Sequence, residues 1–126
     1  MPGVTYDTGA LLAAEKHDRS LWAIHKRALD RGIRPAVPVG VLAQAWRGGP
    51  QAALSRLLAG CAIETMTEAA GRAVGTACAR ARRPDVVDGA VVVGALVRDD
   101  VVFTSDPEDL GAIAAALGRR LVLHRV

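Results

Sequence analysis

Aromatic residues are the scarcest class in this 126-residue chain: two tryptophans, one tyrosine and one phenylalanine, 3% in all. The core must therefore be built from Ala, Val, Leu and Ile. Hydrophobic residues make up 51%, which supplies such a core and excludes a disordered chain. Lysine is nearly missing too: all but Lys16 and Lys26 of the 16 basic residues are arginine. GC-rich coding produces that bias, so arginine number alone carries no functional weight. Cys61 and Cys78 have no metal-like spacing, and two buried free thiols are expected rather than a zinc site or a disulfide. No apolar run approaches the ~20 residues of a membrane span. The start has no basic segment followed by an apolar one, so a cytoplasmic protein without a membrane partner is expected. Repeats, linkers and low-complexity tracts are absent. Gly48-Gly49 lacks the following Lys-Ser/Thr of a phosphate loop. His17, His25 and His124 show neither ligand spacing nor a nucleophile partner, and are expected at the surface.

What is present suits one domain, residues 1–126, large enough for one real core. Short β-prone runs alternate with helix-like ones. Val4 to Tyr6 reads as a strand, and Ala10 to Lys16 and Leu21 to Arg31 as helices, the second closed by Gly32. Pro35 to Val39 is extended, its prolines suiting strand ends or an edge. Gly40 to Trp46 and Gln51 to Leu58 read as helices, and Cys61 to Thr65 as a strand. Thr67 can cap a helix running to about Arg82, and a helix apolar nearly all round follows from Pro84 or Asp85 to Val97. Val101 to Thr104 is a strand, Pro107 to Leu117 a helix, and Leu121 to Leu123 the last strand. This alternation implies a parallel α/β sheet with helices on both faces.

Ligands of such sheets bind beyond the carboxyl ends of the strands. Asp7 ends the first strand and Asp106 the fourth. The turn at Arg98-Asp99-Asp100 is short, so the preceding helix should run antiparallel to the fourth strand and bring Asp88 to the same edge. Gln44 starts from that edge as well. Clustered carboxylates repel one another unless a cation neutralises them, so Asp7, Asp88 and Asp106 are read as ligands of a divalent metal. The net charge of +3, with acids gathered locally, suits an anionic substrate approaching that metal.

Four segments then carry a family resemblance: Val4 to Leu11, Val37 to Arg47, Asp85 to Ala90 and Thr104 to Leu110. In this order and at these intervals the chain resembles the PIN-domain family, and within it the VapC-like toxins of bacterial toxin–antitoxin pairs. The resemblance covers nearly the whole chain. It implies a PIN-like three-layer α/β/α fold with a central parallel sheet of four to five strands. It also implies a ribonuclease dependent on Mg²⁺ or Mn²⁺, with Asp7, Asp88 and Asp106 as core acids, and a small antitoxin as partner. A homodimer is expected too, with apolar helix surface at Leu54, Leu57 and Leu58 available for contacts. One departure stands out: Gln44 holds the position where the family usually has Glu. An amide oxygen can coordinate but brings no charge and cannot act as a base. Glu15 or Asp85 could supply the missing charge.

Each of these residues also has a plainer reading. Asp7 could cap the helix after it, and Asp85 is a natural helix-start acid that can share a face with Asp88. The hydroxyls of Thr8, Thr104 and Ser105 could orient a carboxylate or simply satisfy a loop. Asp109 reads as a first-turn helix acid, Glu64 and Glu68 as solvated acids, and Arg80, Arg82 and Arg83 as a solvated helix end with some chance of meeting phosphate. Two rival functions follow: a PIN-fold module that binds RNA or a partner without cutting, and a small-molecule hydrolase on a flavodoxin-like sheet. The second lacks the second acid of the usual phosphatase pattern after Asp7.

Overall fold

The computed structural model describes residues 2–126. Its elements run β1 (Val4–Tyr6), α1 (Thr8–Glu15), α2 (Arg19–Asp30), β2 (Ala36–Pro38), α3 (Val39–Ala45), α4 (Ala52–Ala59), β3 (Ala62–Glu64), α5 (Glu68–Ala81), α6 (Val86–Arg98), β4 (Val101–Thr104), α7 (Pro107–Ala116) and β5 (Leu123–Arg125). Side-chain oxygens start most of the longer helices. Asp18, Thr67 and Asp85 each accept a hydrogen bond from the first free backbone N–H groups of α2, α5 and α6. Pro107 opens α7 at a position where its missing N–H is no loss.

The five strands form one parallel sheet in the order β3-β2-β1-β4-β5. Right-handed crossovers place α1–α4 on one face and α5–α7 on the other, giving three layers. The chain steps outward from β1 to β2 and β3, then returns across it to β4 and β5. That reversal puts the crevice of the sheet between the carboxyl ends of β1 and β4. The register Tyr6 opposite Phe103, with Asp7 N–H donating to the Phe103 carbonyl at 3.0 Å, holds these two ends level.

Small aliphatic residues fill the core as their abundance requires. Leu11, Val37, Val41, Leu54 and Leu57 are fully buried beneath one face, and Val91, Val92, Leu110 and Ile113 beneath the other. Burying each such side chain contributes ~1.5–3 kcal/mol. Both cysteines are buried free thiols, and burial pushes Cys61 up to about 12, so it is inert.

Several expectations are corrected here. Leu54 and Leu57 face α1 and the core, so they are no free docking surface; the exposed large apolar side chains are instead Leu29, Val39, Trp46, Ile63, Met66, Val86, Val97 and Val122. Val97 is 81% exposed, so α6 is not buried all round: one side of its last turn meets solvent. His25 is not at the surface but only 3% exposed, because it lies on the apolar face of α2 over Tyr6. Its Nδ1 shares a 2.8 Å hydrogen bond with the Tyr6 hydroxyl, and burial lowers its pKa. Glu64 is not simply solvated. It pairs with Arg98, which also reaches Asp100 at 2.8 Å and Thr5 Oγ1 at 3.0 Å, fastening α6 to β1 and β3. The last strand starts at Leu123, two residues late, because pairing with Val102 to Thr104 sets its register. As an edge strand it tolerates His124, which stacks on Phe103 at 5.3 Å between ring centres.

Candidate metal centre

Asp7 leaves β1 with its carboxylate 4% exposed and both oxygens used. Oδ1 accepts from the Thr8 N–H at 2.7 Å, so Asp7 does cap α1, while Oδ2 accepts from Thr104 Oγ1 at 2.8 Å. Thr104 is itself fully buried, and its hydroxyl also accepts from the Asp106 N–H at 2.9 Å. One hydroxyl thus orients the Asp7 carboxylate and fixes the backbone that presents Asp106. Asp106 stands at the N-cap of α7 but makes no capping bond, so its carboxylate is left free to face the crevice. Ser105 lies against Gly9. A Cβ at Gly9 would come within 2.6 Å of the Ser105 Cβ and 2.8 Å of its N, so only glycine lets the two strand ends approach this closely.

Asp88 arrives on the first turn of α6, as the short turn before β4 predicts. Carboxylate oxygens of Asp88, Asp106 and Asp109 lie within 4.8 Å of one another. Asp109 is the residue undervalued in the sequence. It does sit in the first turn of α7, but three positions after Asp106 on a helix means the same face, and that spacing was visible. Asp88 is pushed up to about 7, by burial first and then by the charges of Asp85, Asp7, Asp106 and Asp109. Asp106 is raised too, chiefly by burial and by Asp109 beside it. These shifts link all five acids electrostatically.

The supporting residues divide. Asp85 spends Oδ1 on the Val87 and Asp88 N–H groups, at 3.0 and 3.1 Å, and reaches the cluster only through its charge. Gln44 comes to the start of α1, where its Oε1 accepts from the Thr8 hydroxyl at 2.5 Å. Glu15 brings no free charge: Arg47 and the buried Gln51 bind it, and their hydrogen bonds lower its pKa.

Asp7, Asp88 and Asp106 form no ion pair with any basic side chain among the described residues. An all-oxygen donor set of uncompensated carboxylates fits a hard divalent cation, which would remove the repulsion that lifts Asp88. An apolar groove of about 390 Å³ between Val39, Met66, Val74 and Val97 is lined by other residues.

No family model and no curated relative matches the sequence. Solved structures do. The chain is similar to a chain of VapBC2 from Rickettsia felis, crystallised bound to a DNA fragment from their promoter, with TM-score 0.72, 14% identity and 97% of each chain covered. It is also similar to PAE2754 from Pyrobaculum aerophilum, with TM-score 0.64 and 15% identity over 97% of this chain and 83% of that one. At these identities the likeness is one of fold: the chain has the PIN-like three-layer α/β/α fold expected from its four segments, with a five-stranded parallel sheet.

Proposed function

We propose that this protein is a divalent-metal-dependent endoribonuclease and the toxin of a toxin–antitoxin pair. The observation that carries this is the gathering of Asp88, Asp106 and Asp109 within 4.8 Å, beside Asp7 at the crevice of the sheet. Asp7, Asp88 and Asp106 would hold Mg²⁺ or Mn²⁺, with Asp109 as a fourth acid. A bound cation there would supply a water of lowered pKa and neutralise charge developing on the phosphate and the leaving oxygen. The chain's own residues do the rest. Thr104 locks Asp7 and Asp106 in one orientation, Gly9 lets their strand ends meet, and the fold places the acids before any substrate arrives. A covalent nucleophile is not required, and both thiols are buried.

The partners follow from the same fold. The likeness to VapBC2 supports a small antitoxin as partner. Exposed Val39 and Trp46 at the two ends of α3, with the partly buried Leu42 of α3 and Leu58 of α4, give an apolar strip for a partner segment, and Met66 and Val97 give another for a second copy of the chain. No helix among the described residues is long and apolar enough to cross a membrane.

A second reading is favoured by Gln44, whose only coordinating atom already accepts from Thr8. On that reading the chain binds RNA or a partner without cutting. The deciding experiment incubates purified protein with structured RNA, with and without Mn²⁺ and a chelator. Cleavage that needs Mn²⁺ and disappears in Asp106→Asn establishes the nuclease. RNA that is bound but stays intact at millimolar Mn²⁺ establishes the binding module.

A further inference from the structure

Among the described residues, Arg83 is the one basic residue that pairs with an acid of the cluster. Its Nη1 donates to Asp109 Oδ1 at 3.0 Å. The other carboxylate ion pairs are made by Asp30, Glu15, Glu68, Glu64, Asp100 and Glu108, none of them a member of the cluster. The chain delivers Arg83 by an unfavourable route. Helix α5 ends with Arg82 at φ 55°, a left-handed conformation that strains any residue with a Cβ. The Arg83 N–H then closes the turn on the Cys78 carbonyl at 3.0 Å.

Stability does not explain this placement. The two partners of the Arg83–Asp109 pair are 42% and 45% exposed, and pairs so open to water return little. The Arg83 Nε is meanwhile buried without a hydrogen-bond partner, which is unfavourable. Local rules are broken in this way where function requires it. An arginine carries five donors in a planar fork. Here a single Nη1 donation to Asp109 is its one hydrogen bond, so the rest of the outer fork faces solvent beside carboxylates suited to a cation. A planar fork next to a cation site matches the paired non-bridging oxygens of a phosphodiester.

We propose that Arg83 binds the RNA phosphate next to the acid cluster, with Asp109 holding the guanidinium in place until the phosphate arrives. This rests on the ribonuclease reading above. Arg83 then does two jobs: it adds a positive charge that attracts the strand, and it fixes the phosphate with respect to Asp88 and Asp106.

The test measures binding of a short labelled single-stranded RNA by fluorescence anisotropy, with Ca²⁺ in the buffer and intact RNA verified on a gel. Wild type, Arg83→Gln and Arg83→Lys are compared across a salt series. Mn²⁺ binding is followed by calorimetry without RNA, and folding by circular dichroism. Arg83→Gln should weaken RNA binding about tenfold, as loss of a hydrogen bond to a charged group does. Its salt slope should fall by about 0.7, the value for one lost phosphate contact on a single strand. Arg83→Lys should keep the slope but lose part of the affinity, because an ammonium cannot fork. Mn²⁺ affinity should stay equal or tighten in Arg83→Gln, since a positive neighbour has gone. The proposal is overturned by wild-type RNA affinity and slope in Arg83→Gln. It is equally overturned if Arg83→Gln loses Mn²⁺ along with RNA, because Arg83 would then merely support the acids. A wild-type chain that does not bind RNA overturns both proposals. One that binds RNA but never cleaves it overturns only the nuclease reading, and the Arg83→Gln comparison still decides the role of Arg83.

Discussion

Replacing Asp88 by Asn should make the metal-free protein more stable, although it removes a residue of the candidate site. In the folded chain Asp88 is raised from 3.8 to about 7 by burial and by four neighbouring acids. The folded state therefore binds the Asp88 proton more tightly than the unfolded chain does. Stability falls as pH rises between about 4 and 7, and the full penalty is present above pH 7. A shift of that size corresponds to at most ~4 kcal/mol. Asp88 is half-buried, so solvent screening reduces this to ~2 kcal/mol. The favourable contact of its charge with the α6 N-terminus returns ~0.5 kcal/mol, which leaves a net gain for Asp88→Asn of ~1–2 kcal/mol at pH 8. Urea denaturation in EDTA reads this directly: the midpoint should rise by ~0.5–1 M at pH 8 and by much less at pH 4. Saturating Mn²⁺ should reverse the order, because wild type gains ~2.7 kcal/mol at a hundredfold excess over its Kd and the variant does not. If Asp88→Asn in EDTA is no more stable than wild type at pH 8, or if the gap does not change with pH, the acids do not strain one another and the electrostatic account of the site is wrong.

Gln44→Glu adds a charge beside Thr8, the residue after Asp7, so it should tighten Mn²⁺ binding and raise the cleavage rate; calorimetry and cleavage that both match wild type would put Gln44 outside the site. Thr104→Val removes both the donor to Asp7 and the acceptor for the Asp106 N–H, and should cost about 1–3 kcal/mol in urea melts and weaken Mn²⁺ binding. Unchanged Mn²⁺ affinity in that variant would show that the hydroxyl serves the fold alone. Gly9→Ala should destabilise the chain and lower cleavage together, since the new methyl meets the Ser105 backbone; a variant as active and stable as wild type would mean that the two strand ends separate freely. Leu57→Ala should cost ~2–5 kcal/mol by thermal or urea melts with Mn²⁺ affinity retained, because Leu57 is fully buried on α4, which packs on α1 rather than on α6 or α7.

Much of this molecule was decided by local sequence. Alternating short apolar runs and capped helical runs determine where strands and helices form, because propensity, caps and turn residues act within a few positions: Gly32, Thr67 and Pro107 punctuate the chain where expected. The order of elements also implies a parallel sheet, and the sheet implies that Asp7 and Asp106 share an edge. The short turn at Asp99 extends that inference to Asp88. Element ends were legible to within one or two residues for the same reason. The start of β5 moved from Leu121 to Leu123 because an edge strand takes its register from Val102 to Thr104 and not from its own residues.

Tertiary structure alone decided which polar groups spend their charge on one another. Glu15 looked like a spare acid until Arg47 and Gln51, more than thirty residues away, were folded onto it. His25, Glu64 and Leu57 each carry a side chain whose surroundings come from other elements, so composition could not say that the first and last are buried and the second is paired. Thr104 bridges Asp7 and Asp106 only because β1 and β4 are neighbours in register. The same holds for Asp109 and Arg83. A first-turn acid and a helix-end arginine are ordinary in sequence. They meet at 3.0 Å because α5 and α7 pack on the same face of the sheet, and contacts across that distance in sequence are set by packing, not by local preference.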